Sequence, residues 1–185
     1  MRDLGLIGLI QRLSFCENLL SLSLHLVHNK ITTNGFVSLC QALVNYKKLK
    51  TLQLFMKFFK INDENITDIG SAFVNCKALQ NLTLELKYNQ IGIQGLCNLG
   101  TCLLQCEILS AINLNLFNNK IEYTKIQYFL NILKNLKHVN VLEVDLRKYL
   151  ADYTYFELQM QKILFQKSMK KILKCQRLVK FTILS

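Results

Sequence analysis

The sequence repeats with a period of thirty residues, and this period constrains the fold more than any other feature. An apolar residue recurs in five copies at that interval, and further apolar positions follow it three, five and seven residues later in every copy. The first of these positions is occupied by Leu19, Leu49, Leu79, Leu109 and Val139. Five copies in one register, without an insertion, predict a solenoid of stacked units.

Each unit changes its hydrophobic period partway along. Its first part alternates apolar and polar residues, as in residues 22–26, which predicts a strand with one buried face. Its second part spaces apolar residues by three and four, as in residues 36–43, which predicts an amphipathic helix. Stacking in register would place the strands in one parallel sheet and the helices in an outer layer, with the leucines between them.

Two further positions of the unit predict local geometry. Gly35 and Gly95 open two of the predicted helices, and Asn65 replaces them once, which indicates a backbone position with positive φ. An asparagine recurs between strand and helix, and its amide could satisfy backbone groups in the turns of neighbouring units. This row reads Asn29, Phe59, Asn89, Asn119 and Tyr149.

The repeated pattern L-x-x-L-x-L-x-L-x-x-N-x-I, followed by G-x-x-x-L-x-x-x-L, resembles the leucine-rich repeat superfamily. Its longer, helix-containing class, typified by ribonuclease inhibitor, is the best match. The resemblance covers residues 5 to about 151 and resumes at Leu178, Phe181 and Ile183. It implies an α/β solenoid with a curved parallel β-sheet on the concave side and helices on the convex side. Family members commonly bind protein partners on the concave surface.

The chain has 185 residues, and no Gly- or Pro-rich linker divides it. We therefore expect one leucine-rich repeat domain, residues 1–185, with about five to six repeats. The first unit begins in its helical half and the last strand ends at Ser185 without a polar cap. These ends predict a fragment of a longer array or a truncated gene model.

The basic charge is concentrated near the C-terminus. The formal net charge is +11, and residues 147–185 contribute nine basic and two acidic residues, or +7. Residues 152–177 predict a longer basic amphipathic helix within the last repeat. Such a helix could attach to an anionic membrane or to nucleic acid, but we expect the outer helix of a repeat with solvated lysines.

The seven cysteines predict neither a metal site nor disulfides, because none forms a C-x-x-C pair and the number is odd. Thiols buried in a reducing, cytoplasmic compartment are the expected state. Cys16, Cys76 and Cys106 share one repeat position, which indicates a small buried residue at a helix end. No apolar run reaches the length of a membrane-spanning helix.

The polar residues that alternate with the buried leucines form the candidate binding surface on the concave side. Phe55 and Phe117 are possible aromatic anchors, and an acidic end at Glu85, Glu143 and Asp145 favours a basic protein partner. The alternative is a solvated face that only keeps the array soluble. The candidate residues are His25, Gln53, Phe55, Thr83, Glu85, Asn113, Asn115, Glu143 and Asp145.

Catalysis is not expected. His25 and His28 have no nucleophile and orienting acid at motif spacing, and Glu143 with Asp145 is better explained as exposed charge on a strand than as paired carboxylates. We therefore predict a non-enzymatic protein-binding scaffold without a cofactor, a metal or a small-molecule substrate. Two rivals remain: a regulatory segment of a larger, for example kinase-linked, protein, and attachment to a membrane or nucleic acid, which we do not expect.

Overall fold

A computed structural model describes residues 1–13, 15–147 and 180–184. Strands and helices alternate along the described chain, as the change of period within each unit predicts. The elements are α1 (Asp3–Leu13), β1 (Ser21–His25), α2 (Thr33–Leu43), β2 (Thr51–Phe55), α3 (Asp63–Asn75), β3 (Asn81–Glu85), α4 (Ile93–Leu103), β4 (Ala111–Asn115), a 3-10 turn (Tyr123–Lys125), α5 (Ile126–Leu133), β5 (Val141–Asp145) and β6 (Lys180–Leu184). The predicted basic helix over residues 152–177 lies outside the described residues.

The strands form one parallel sheet in the order β1-β2-β3-β4-β5-β6. Each strand from β1 to β4 pairs with the next at an offset of thirty residues, so that Leu22 lies opposite Leu52 and Leu52 opposite Leu82. The final pairing places Leu142 opposite Phe181, which confirms that the strand motif returns after a longer connection. The fold is therefore an α/β solenoid of the leucine-rich repeat type, with its sheet on one side and its helices on the other.

The core lies between the sheet and the helices, because each layer presents one apolar face to the other. Every even-numbered strand residue of β1 to β5 is buried, and each helix from α2 to α5 contributes a buried stripe. The stripe residues are Phe36, Leu39, Leu43, Ile66, Ile69, Phe73, Leu96, Leu99, Leu103, Ile126, Phe129 and Leu133. Both hydrophobic periods read from the sequence are confirmed by this burial.

The turn asparagines connect neighbouring units, as the sequence predicted. The side-chain amide of the buried Asn89 donates to the carbonyl oxygens of Leu86 and Met56, both at 2.9 Å. Its Oδ1 accepts the backbone N–H of Ile61 at 3.0 Å. Asn119 repeats these contacts one unit later. One amide thus satisfies backbone groups of two adjacent turns, which would otherwise be buried without partners.

The glycines near the helix starts serve close packing, and the expectation of a positive φ there was wrong. No described glycine has a positive φ. A Cβ added at Gly95 would lie 2.6 Å from the Cα of Asp63 and 2.6 Å from Cγ2 of Ile66, both on the preceding helix. Glycine is required because neighbouring helices approach closely at their first turns. Asn65 takes this position in α3, where it forms a reciprocal capping box with Asn62.

Candidate functional site

The open face of the sheet, the face turned away from the helices, carries all nine residues predicted for partner binding. It consists of the odd-numbered residues of β1 to β5, and the register aligns them into three rows across the strands. The rows are Ser21, Thr51, Asn81, Ala111 and Val141; Ser23, Gln53, Thr83, Asn113 and Glu143; and His25, Phe55, Glu85, Asn115 and Asp145. All of them except Asp145 are exposed or half-buried.

Neighbouring strands contact each other through these rows. The ring of His25 stacks on that of Phe55, with centroids 4.0 Å apart and an angle of 9° between the planes. The Asn113 amide donates to Oε2 of Glu143 at 2.7 Å. Because these side chains hold one another, the open face presents a partly ordered surface, which lowers the entropy lost on binding.

Glu85 is a half-buried carboxylate at the centre of the third row. Burial raises its pKa, and the nearby Lys87 opposes that increase. Lys87 Nζ lies 3.4 Å from Oε1, an ion-pair distance but too long for a good hydrogen bond. No described residue donates a hydrogen bond to this buried oxygen. Because this oxygen is buried, it is compensated by the nearby Lys87 and is not open to a donor from a partner.

Asp145 is buried, with 6% of its surface exposed, which corrects the expectation of a solvent-facing acid. Arg147 contacts it with two hydrogen bonds, Nε to Oδ1 at 2.9 Å and Nη2 to Oδ2 at 2.8 Å. This pairing raises the pKa of the Arg147 guanidinium. Strand β5 lies between β4 and β6. Arg147 lies two residues beyond Asp145, and its side chain folds back onto that carboxylate. The Asp145 carboxylate is thus already bound by a residue that directly follows its own strand.

An aromatic ridge, defined as Phe58, Tyr88 and Phe117, follows the ends of β2, β3 and β4. The Phe58 and Tyr88 rings lie 4.7 Å apart and tilted by 32°, and the Tyr88 and Phe117 rings meet edge to face at 5.4 Å. Lys57 Nζ lies 4.8 Å from the centroids of both Phe58 and Tyr88. The Arg147 guanidinium lies over Phe117 at 5.8 Å. The sequence indicated Phe117 as an anchor but not the other ridge residues.

Two ridge residues, Phe58 and Tyr88, occupy a strained turn position that recurs every thirty residues, and Phe117 directly precedes the next copy of it, Asn118. His28, Phe58, Tyr88 and Asn118 all have φ between 55° and 64°. Their N–H groups explain this geometry at three units, since Phe58 donates to the Lys87 carbonyl, Tyr88 to the Phe117 carbonyl and Asn118 to the Arg147 carbonyl. Asparagine tolerates this conformation, whereas an ordinary side chain such as phenylalanine loses about 1–2 kcal/mol there. The recurrence of exposed polar or aromatic residues at this position is the sequence signal that could have found the ridge.

The cysteines are free thiols within the described chain. Cys76 is buried and Cys106 half-buried, and burial raises the pKa of each to about 11. Cys16 is exposed, so the expected small buried residue at this repeat position is wrong in the first unit. Among the described residues no group of three His, Cys, Asp or Glu side chains could hold a metal ion.

Three of the residues considered for catalysis, His25, Glu143 and Asp145, contact other side chains. Glu143 accepts a hydrogen bond from Asn113, and Asp145 is paired with Arg147, so each carboxylate contacts a partner other than the second carboxylate. His25 contacts Ser23 Oγ at 3.3 Å and stacks on Phe55. Within the described parts of the chain, no helix is long and apolar enough to cross a membrane.

Comparison with known proteins identifies the fold. No protein family matches the sequence, and no curated protein resembles it in sequence. A solved structure described as "Leiomodin-1 Actin-Binding Site 2 (ABS2)" matches this chain with a TM-score of 0.57 at 16% sequence identity. The match covers 89% of this chain and 90% of that chain. At this identity the likeness shows the solenoid fold alone.

Proposed function

We propose that this chain is a non-enzymatic protein-interaction scaffold that binds its partner on the concave, open face of the sheet. The observation that carries the proposal is the exposure of that face. Parallel sheets are ordinarily covered on both faces, yet here the odd-numbered residues of β1 to β5, apart from Asp145, stay exposed or half-buried. A regular, partly ordered surface of polar groups and one aromatic stack suits recognition by many modest contacts.

The candidate contact residues remain those predicted from the sequence. His25, Gln53 and Phe55 would form one side of the site, and Thr83 with Glu85 its centre. The other side would consist of Asn113, Asn115, Glu143 and Asp145, of which Asp145 is the weakest candidate because it is buried against Arg147. The structural neighbour is named for an actin-binding site, so purified actin is the first named protein to test.

The prediction of a basic partner receives little support from the paired charges of the open face. Asp145 is bound by Arg147, Glu85 lies beside Lys87, and Glu143 accepts from Asn113. The Asn113 amide is neutral, so Glu143 keeps its charge, but an acidic patch in which two of three charges are compensated attracts a basic partner only weakly.

We include three further features in this proposal. The chain forms one repeat domain over residues 1–185, its repeats are of the ribonuclease-inhibitor-like class because strand and helix alternate every thirty residues, and it works in the cytoplasm. The seven cysteines, an odd number without a C-x-x-C pair, favour a reducing location. Two alternatives stay predictions: a regulatory segment of a larger protein, and attachment to a membrane or nucleic acid through residues 152–177, which the described structure does not include.

The test compares two triple variants in a quantitative pull-down and in direct binding to purified actin. The open-face variant combines Gln53→Ala, Phe55→Ala and Glu143→Ala. The control variant combines Gln41→Ala, Asp68→Ala and Tyr128→Ala, which removes the same kinds of side chain from exposed positions of the helices. We expect the open-face variant to capture about tenfold less protein than the wild type, because several contacts in one site are removed together.

The control variant is expected to capture the same proteins as the wild type. Equal capture by all three proteins, with the variants folded, would refute binding on the open face. Loss of captured proteins in the control variant alone would indicate that the partner binds the helices instead.

A further inference from the structure

We propose that the aromatic ridge binds an acidic peptide segment of the partner, with an apolar side chain beside its carboxylates. This inference rests on the proposed scaffold function and specifies the chemistry of one partner segment. The ridge lies at the ends of β2 to β4, next to the third row of the open face. A partner lying on the open face could therefore reach it.

The choice of residues at the strained turn position is the first observation. The repeat requires a positive φ there, and Asn118 satisfies it with a residue that tolerates this conformation. Phe58 and Tyr88 place large aromatic side chains at the same position, where the backbone penalty is greater. Phe58 is 57% exposed, so its ring gains little from burial. Strain retained at an exposed apolar side chain is typical of a binding site.

The charge of the surrounding turns is the second observation. Residues 26–31, 56–61, 86–91 and 116–121 contain five lysines and no Asp or Glu, and these lysines are Lys30, Lys57, Lys60, Lys87 and Lys120. Lys87 and Arg147 are already paired with Glu85 and Asp145. Lys57 forms no salt bridge with a described residue, although it is close enough to Glu85 to lower the pKa of that carboxyl, and its ammonium lies over two rings. The turns at the carboxyl ends of the strands are therefore complementary to a negatively charged partner.

The arrangement of the rings favours a peptide over a single-stranded nucleic acid. Bases bind by stacking on open aromatic faces. Here the rings meet one another tilted or edge to face, Lys57 lies over two of them and Arg147 over the third. An apolar side chain can pack against the exposed ring edges of Phe58, while a carboxylate beside it pairs with the Lys57 ammonium.

The experiment pans random peptides displayed on phage against the full-length wild-type chain. Phage that bind the Phe58→Asn, Tyr88→Asn double variant are first removed. Asparagine tolerates the positive φ, so this variant loses the two rings without adding strain to the backbone. Circular dichroism and urea unfolding verify that the variant is folded. We expect the enriched peptides to combine Asp or Glu with a neighbouring aromatic or aliphatic residue.

Fluorescence anisotropy then measures the affinity of one enriched synthetic peptide. Lys57→Met should weaken binding by about tenfold, because it removes the ammonium and keeps most of the side-chain volume. Lys77→Met should leave the affinity unchanged, because Lys77 is exposed and precedes β3, at the other end of the strands from the ridge. High salt should weaken binding to the wild type.

Four outcomes would overturn the inference. These are no enrichment over the double variant, enrichment of neutral or basic peptides, an affinity that Lys57→Met does not change, and tighter binding of a short oligothymidylate that depends on Lys57. If the open-face triple variant loses its captured proteins while the ridge variants retain them, the scaffold function stands and only the ridge fails. If neither set of variants changes any binding, both proposals fail.

Discussion

At the residue scale, the turn asparagines show how one side chain can join two units. Asn89 makes three buried hydrogen bonds, and the groups it satisfies belong to its own unit and to the preceding one. The equivalent position in the second unit is Phe59, which is partly buried and packs against the core instead. In the second unit, packing of this aromatic ring thus takes the place of the hydrogen bonds of the asparagine.

Replacing Asn89 by alanine should lower the free energy of unfolding by roughly 2–4 kcal/mol, because it leaves buried backbone groups of two turns without partners. Urea unfolding followed by circular dichroism measures this loss. Asn45→Ala is the matched control, since Asn45 is exposed and should change stability by less than about 0.5 kcal/mol. Similar losses in both variants would show that the buried amide has no special role.

At the element scale, the distance between neighbouring helices is set at their first turns. Gly95 lies against the backbone of Asp63 on the preceding helix, and Gly35 lies equally close to Ile31 and Asp3. A side chain at Gly95 would push α4 away from α3, because the nearest atom is backbone and cannot rotate aside. The same helices carry the buried stripes, so this displacement would loosen the core as well.

Gly95→Ala should therefore destabilise the fold by roughly 1–3 kcal/mol, although alanine favours helix more than glycine does. Gly8→Ala in α1 is the opposite case, because a Cβ at Gly8 meets nothing within 4 Å. That change should stabilise the protein by about 0.5–1 kcal/mol. Thermal and urea unfolding of the two variants decide the matter, and stabilisation by both would contradict the close approach seen here.

At the scale of the whole molecule, stability is a sum over stacked units, and the buried thiols add a shared dependence on pH. Burial raises the pKa of Cys40 to about 12 and that of Cys76 and Cys106 to about 11, from an ordinary value of 9.0. Above pH 9 the unfolded chain loses these protons while the folded chain keeps them. The stabilisation is therefore complete below pH 9 and is lost as the pH rises towards 11.

We expect the free energy of unfolding to fall between pH 9 and pH 11 by at most about 1.4 kcal/mol per pH unit for each thiol. Urea unfolding at several pH values measures the slope. Cys76→Ala should reduce the slope, whereas Cys16→Ser, at an exposed position, should not. An unchanged slope in Cys76→Ala would assign the alkaline loss to other groups.

Much of the open face could be predicted because it follows from alternation alone. Once the leucines of each strand are buried, the intervening residues must point the other way, and the period of thirty aligns them into rows. The burial of Asp145 could not be predicted, since it depends on Arg147 returning to the carboxylate from beyond the strand. The contacts of the aromatic ridge likewise join residues of different units through turns whose conformation has no simple pattern.

The sequence by itself determined the repeat, the two kinds of element, the register of β1 to β5 and the side chains of the core, because hydrophobic periodicity decides which face of each element is buried. The tertiary structure alone decided how closely the helices approach, which charges are paired and where the rings of the ridge meet. These features depend on distances between units, and such distances are fixed only when every unit packs against its neighbours.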